Sequence, residues 1–346
     1  MNKKWLLLAV LAVGVFVALA GYGDFSGTVD EIGSLPVSYL FAALGLASAN
    51  YFIRFLRWAF FLKYLKIDVP ANVSALVFLS GLAMSVTPGK AGELVKCYLL
   101  NSRTGVPISR SAPVVVMERL TDVISVIILG LTGFALLPAP VIAVLAVALA
   151  LTAAGMMFAV SRQASRLTAL PILSRWSVLL RDSQEGFKEL AAPRVMVVGV
   201  AFGAVAWFAE GLALWLLLKG IGSDIALVRA LPIYAAATLA GAVTALPGGL
   251  VGTEGSMLAM LQQSGVAKGA ATAGTLLVRL VTLWFAVALG MLALFFALLS
   301  FYGLSTLAHV GYDAAILVSL SLVVDIFLLP VLLLYVDELP QKEATL

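Results

Sequence analysis

Charge is scarce in this sequence. Asp, Glu, Lys and Arg make up 12% of its 346 residues against 62% apolar, too thin a polar shell for a water-soluble domain of this size, which excludes a cytosolic globular enzyme. Cysteine is scarcer still: Cys97 stands alone, so no intramolecular disulfide can form. One histidine, His309, leaves no Cys/His cluster that could hold a structural zinc. Neither His-Glu-x-x-His nor Gly-x-Ser-x-Gly occurs, so the common hydrolytic constellations are missing too. No metal, cofactor or catalytic residue is expected.

Apolar runs are what the chain has in quantity. They repeatedly reach the roughly 20 residues needed to cross about 30 Å of hydrocarbon, which reads as a polytopic membrane protein. Spans are expected near Trp5–Ala20, Pro36–Phe55, Ser111–Leu136, Pro140–Val160, Val195–Leu218, Gly269–Ser300 and Asp313–Tyr335. Lys3 and Lys4 precede the first, and Ala18-Leu19-Ala20 imitates a signal-peptidase site. A cleaved leader therefore competes with an anchoring helix, and the anchor is the reading taken, with the acidic stretch up to Leu35 as an outer loop. Seven crossings put the N-terminus inside and the C-terminus outside. Of the 22 Lys and Arg, fourteen then fall inside and only Lys219, Arg229, Lys268 and Lys342 outside, as the positive-inside rule requires. The net charge of +4 is thus topology information, and a nucleic-acid partner is not expected. The arginines between Ser161 and Arg194 suit an amphipathic connector on the anionic inner surface.

Two apolar stretches are interrupted at mid-length, at Val86-Thr87-Pro88-Gly89-Lys90-Ala91-Gly92-Glu93 and at Ala245-Leu246-Pro247-Gly248-Gly249-Leu250-Val251-Gly252-Thr253-Glu254. Proline removes an amide donor and glycine favours turns, so each should be two half-helices joined by a bend. Each bend is followed by an arginine in the next span, Pro88 to Arg119 being 31 residues and Pro247 to Arg279 being 32. The units lie 159 residues apart, one over 36–160 with its hairpin around 72–101, the other over 195–335 with its hairpin around 229–264. Residues 1–35, 161–194 and 336–346 are the anchor and outer loop, the connector and an outer tail. Three crossings per unit invert the second relative to the first. The expected fold class is all-α and polytopic, with inverted-topology repeats, about seven full spans and two re-entrant helical hairpins whose tips meet near the midplane.

The restarting half-helices offer unpaired amides and a positive dipole end, with Thr87 and Thr253 as candidate caps, and Lys90, Lys96, Arg119 and Arg279 add full charge. An anionic headgroup is the implied guest, with Gly89, Gly248 and Gly249 letting backbone approach it. Pairing of Glu93 with Arg119 and of Glu254 with Arg279 competes with that reading, and both can hold. Glu118 and Asp122 share a helix face, and Arg119 reaches Asp122, which reads as structural pairing towards the cytoplasmic end. Glu210 and Asp325 are candidates for a proton-carrying carboxylate, against a plain interhelical hydrogen bond. Asn50 reads as such a bond. Arg54, Arg57 and Trp58 read as anchors of a helix end at the interface.

The run from Thr87 to Lys96, the block Glu118-Arg119-Leu120-Thr121-Asp122 and Pro247-Gly248-Gly249 with Glu254 and Arg279 together resemble the flippase-like membrane domain of lysylphosphatidylglycerol synthases and its stand-alone relatives, over about residues 36–300. The resemblance implies a lipid-translocating domain in the cytoplasmic membrane. In the synthases that domain moves aminoacylated phosphatidylglycerol outward, and the family's soluble aminoacyl-transfer domain has no counterpart in this sequence. Similar domains accompany glycosyltransferases that act on polyprenyl carriers. Three functions stay open at this stage: a flippase or scramblase for an anionic or aminoacylated phospholipid or a polyprenyl-phosphate-linked lipid, a transporter of a small anionic solute, and an intramembrane component of a lipid-modifying enzyme. A separate synthase or glycosyltransferase and a second copy of the chain are the candidate protein partners.

Overall fold

A computed structural model describes residues 25–87, 92–133, 139–161, 177–244 and 246–302. The expected spans at Trp5–Ala20 and Asp313–Tyr335, the tail, and Pro88, Gly89, Lys90, His309 and Asp325 lie outside the described residues.

The described residues are helical, with no strand among them. In chain order the helices are α1 (Phe25–Ser34), α2 (Val37–Tyr64), α3 (Ala71–Leu82), α4 (Val95–Thr104), α5 (Ile108–Leu131), α6 (Ala139–Val160), α7 (Ser177–Leu190), α8 (Pro193–Gly220), α9 (Leu227–Val243), α10 (Gly252–Gln263), α11 (Lys268–Arg279) and α12 (Phe285–Tyr302). Pro193 opens α8, where a fixed φ suits the first turn and no amide is lost, and Pro36, Pro70 and Pro107 stand at the N-caps of α2, α3 and α5. Three helical stretches are long and apolar enough to cross a bilayer: Val37–Tyr64, Pro193–Gly220 and Lys268–Leu299. Shorter apolar helices cover Ala71–Val86, Ala146–Ala159 and Leu227–Val243. α5 has the length of a span but carries Arg110, Glu118, Arg119 and Asp122, a cost at membrane depth that only protein burial can offset.

α2 and α8, each 28 residues long, pack along one another at the centre, and α5 and α9 close against α8. Small residues permit the close approach. Gly199 and Gly203 on α8 leave room for Phe61 of α2, Thr121 and Ser125 of α5, and the Arg57 guanidinium. Apolar clusters fill both flanks. One gathers Trp58, Phe61, Phe78, Leu100 and Met117, and the other gathers Leu214, Leu217, Tyr234, Met257, Leu261 and Val278.

Both interrupted stretches are broken helices. α3 tightens into a 3-10 turn over Ala83–Val86, and the chain resumes as α4. α9 ends at Val243, a 3-10 turn covers Pro247–Gly249, and α10 starts at Gly252 and packs back on α9. Gly248 and Gly249 take left-handed φ of 63° and 66°, as glycine does at low cost. Val251 does so at 70°, a strained setting for a β-branched residue. The breaks face each other, since a Cβ added to Gly248 would lie 3.7 Å from Val86 Cα. α12 crosses the first break at Gly290, where any side chain would overlap the Ala83 backbone. Between α11 and α12 the helix widens into a π turn over Leu280–Trp284, and the Tyr51 hydroxyl donates to the Thr282 carbonyl there at 2.6 Å.

Candidate functional site

The polarity of the bundle is turned inside out. Phe41, Val197 and Phe296 are more than half exposed, while Arg57, Glu118 and Glu254 are wholly buried. Buried charges need partners of opposite sign, and the structure supplies them in two groups, one behind each break.

The first group is dense. Glu93 follows the break and meets Lys96 and Arg119, each at 3.3 Å. The Lys96 ammonium reaches Glu118 at 2.6 Å and lies 4.7 Å from the Trp58 ring centre, a cation–π contact, with its stem packed over Gly81. Asp122 then collects three arginines: Arg57 at 2.8 Å, Arg119 at 3.0 Å and Arg54 at 3.6 Å. The Trp207 indole also donates to Asp122 at 3.1 Å. Arg57 donates a further bond to Thr121 at 3.1 Å. The second group is spare. Arg279 donates from Nε to Glu254 and from Nη2 to the Gly248 carbonyl, both at 2.6 Å, which ties the second break to α11.

Between the groups lies a cavity of about 230 Å³. Its wall takes Thr87 from the first break, Gly248, Gly249 and Thr253 from the second, and Arg54, Arg119, Asp122, Glu210, Tyr234 and Arg279 from the helices around them. Three guanidinium groups thus face one space. Arg54 is 4% exposed, and its Nε has no hydrogen-bond partner. At 3.6 Å its contact with Asp122 is too long for a hydrogen bond. A buried cation so loosely held carries unused capacity for an anion. On the opposite wall Glu210 accepts the Tyr234 hydroxyl at 2.6 Å.

Set against the sequence, Thr87, Arg119, Gly248, Gly249, Thr253, Arg279 and Glu210 line the cavity. Gly89, Lys90 and Asp325 are outside the described residues. Glu93, Lys96 and Glu254 are buried behind the wall and hold its arginines and Glu118 rather than lining it. The caps need correcting. Thr253 sits inside the first turn of α10, which has no side-chain cap, whereas the Thr87 hydroxyl accepts the Gly92 amide at 2.9 Å. Arg54, Arg57 and Trp58 are not interfacial anchors, because all three are buried against α5, α8 and α3. Arg119 reaches Asp122 at 3.0 Å as expected, and Asp122 lines the cavity as well. Asn50 does bond between helices, donating to the Ala206 carbonyl at 2.8 Å. Tyr51, Arg54, Trp207 and Tyr234 were missed as wall residues. For Tyr51 and Arg54 a signal existed: Ala43, Ala47, Asn50, Tyr51, Arg54, Arg57, Trp58 and Phe61 follow one helical face, and the small residues at its start mark it as inward.

An apolar-skinned helical bundle with an ionic centre is the form of an integral membrane protein. The chain belongs to the family described as lysylphosphatidylglycerol synthase TM region, whose profile matches residues 5–290. It is similar to a UPF0104 membrane protein of Methanothermobacter thermautotrophicus, 24% identical over 318 residues that cover 84% of this chain and 93% of that relative. It is also similar to a UPF0104 membrane protein of Pyrococcus horikoshii, 23% identical over 320 residues that cover 83% and 95% of the two chains.

Proposed function

We propose that this protein moves an anionic lipid headgroup, that of a phospholipid or of a lipid-linked phosphate, from one leaflet of the cytoplasmic membrane to the other, without chemistry on the cargo. The observation that carries the reading is the cavity between the two breaks with Arg54, Arg119 and Arg279 on its wall. Guanidinium forks match phosphate oxygens in geometry and charge. At about 230 Å³ the space is smaller than the roughly 300–1,000 Å³ of drug-sized pockets, so it suits a headgroup whose acyl chains stay in the bilayer. The family's link to a lipid synthase agrees with that cargo class.

In this proposal the broken helices are re-entrant hairpins that dip from opposite faces, each within one of two inverted units. Rocking of one unit against the other opens the cavity to each leaflet in turn. The N-terminus lies inside and the C-terminus outside, as the lysine and arginine bias requires. A separate synthase or glycosyltransferase makes or uses the lipid.

The test is headgroup translocation in vesicles reconstituted with the purified protein. Labelled phosphatidylglycerol is expected to cross at a rate that falls at least about tenfold, or 1.4 kcal/mol, in R54A and R279A, with R54K and R279K intermediate because charge remains while the fork is lost. Full rates in both alanine variants would remove the arginines from the path. Uptake of soluble organic anions with no lipid movement would instead establish the small-solute transporter.

A further inference from the structure

The cavity wall carries two sets of side chains with opposite hydrogen-bonding character. Arg54, Arg119 and Arg279 form the first, and a guanidinium only donates. Arg54 is 4% exposed, and its Nε has no hydrogen-bond partner among the described residues. Tyr51, Tyr234, Thr238 and Thr282 form the second. They gather around Glu210. Tyr234 bonds it, Thr238 lies one helical turn further along α9, and Tyr51, within electrostatic reach of Glu210, is tied to Thr282.

A hydroxyl has one proton and two lone pairs, and these four protons are already committed. Tyr51 donates to the Thr282 carbonyl at 2.6 Å, Thr238 to the Tyr234 carbonyl at 2.8 Å and Thr282 to the Val278 carbonyl at 2.7 Å. A carbonyl can only accept, so the direction of these three bonds is fixed. Tyr234 donates to the Glu210 carboxylate at 2.6 Å. What the four oxygens can still offer a guest is lone pairs. This patch accepts where the arginines donate.

A phosphodiester satisfies only half of such a cavity. Its oxygens accept, so they suit the guanidinium forks and gain nothing from hydroxyls that have no proton to give. Resting on the translocation reading above, we propose that the cavity selects headgroups carrying a hydrogen-bond donor beyond the phosphate, a hydroxyl or an ammonium. Tyr51, Tyr234, Thr238 and Thr282 are the specificity-determining residues that receive that donor. The phosphate lies at Arg54 and the donor-bearing end at Thr238, which sets the orientation of the headgroup. A guest without donors is disfavoured because it withdraws these acceptors from water and leaves them unmet.

Charge-matched pairs of lipids separate this selection from simple attraction of charge. Short-chain phosphatidylglycerol and phosphatidylpropanol bear the same phosphodiester charge, and only the first has hydroxyls on its headgroup. Phosphatidylethanolamine and phosphatidylcholine are both zwitterionic, and only the first has N–H donors. Each is titrated into the detergent-solubilised full chain and its affinity read by calorimetry. The donor-bearing member of at least one pair is expected to bind about three- to tenfold tighter, the usual worth of a hydrogen bond. The pair that discriminates assigns the donor as hydroxyl or ammonium. Thr238→Val removes one acceptor oxygen with little change of shape and is expected to lower that ratio. The double variant with Thr282→Val is expected to bring it close to one while the donor-free lipid binds as before. Thr152→Val is the control. Its hydroxyl makes the same bond to the carbonyl four residues back, on α6 and off the cavity wall, so the wild-type ratio is expected to persist. Equal affinities within both pairs would overturn the proposal and leave lipid binding and movement intact, as would a wild-type ratio in the double variant. Binding of none of the four lipids would remove the translocation reading and this selection together.

Discussion

The two broken helices are held open by different means. Among the described residues, seven charged side chains stand behind the first, with Asp122 alone touching three arginines. Behind the second stand one ion pair, Arg279 with Glu254, and a backbone of unusual shape: two left-handed glycines followed by Val251 at a positive φ. Among the described residues, side-chain charge braces the first break and main-chain conformation marks the second. Ion networks are rigid only while every member is present, whereas a strained turn is a reservoir that a conformational change can release. In the rocking proposed above, the first half would serve as the frame and the second as the moving part.

Asp122→Asn tests the frame most severely. It removes the negative charge that Arg54, Arg57 and Arg119 share, and it is expected to cost about 3–5 kcal/mol, the usual penalty for stranding buried charge, read as a lowered unfolding midpoint in detergent. A loss below 1 kcal/mol would erase the contrast. At the second break the backbone should decide, and with both signs. Gly248→Ala is expected to cost about 1–2 kcal/mol, because a Cβ is forced into the left-handed region. Val251→Gly relieves strain there at the expense of chain entropy and is expected to gain up to about 1 kcal/mol. The same unfolding measurement separates the two, and a loss in both would mean that side-chain packing governs the turn. Asn50→Ala gives the smallest effect. Its bond to the Ala206 carbonyl joins the central helices α2 and α8, and the expected loss is about 0.6 kcal/mol.

Much of this was legible in the sequence, because the telling features are local or repeated. Proline with glycine announced both breaks, and the matched separations of 26 and 25 residues paired Glu93 with Arg119 and Glu254 with Arg279, contacts now at 3.3 and 2.6 Å. What escaped was long-range or depended on depth. Arg54 and Arg57 fall beside the end of a span expected to close at Phe55, where arginine ordinarily reaches for lipid phosphate, whereas α2 runs on to Tyr64 and Gly199 and Gly203 of α8 admit Phe61 and Arg57. Tyr234 meets Glu210 from another helix with no motif to announce it. Lys96 reads as a ligand until Glu118 and Trp58 are seen to enclose it. The π turn at Leu280–Trp284 has no proline or glycine to mark it.

That widened turn has a geometric outcome of its own. In a helix of 3.6 residues per turn, one surplus residue swings everything beyond it by roughly 100° about the axis. α11 can therefore aim Arg279 at the cavity while α12, a few residues later, presents side-chain-free Gly290 to the Ala83 backbone. A uniform helix over the same stretch would bring those residues to a different relative azimuth and could satisfy one neighbour at the expense of the other. The phase slip is what lets one continuous rod serve both halves of the molecule.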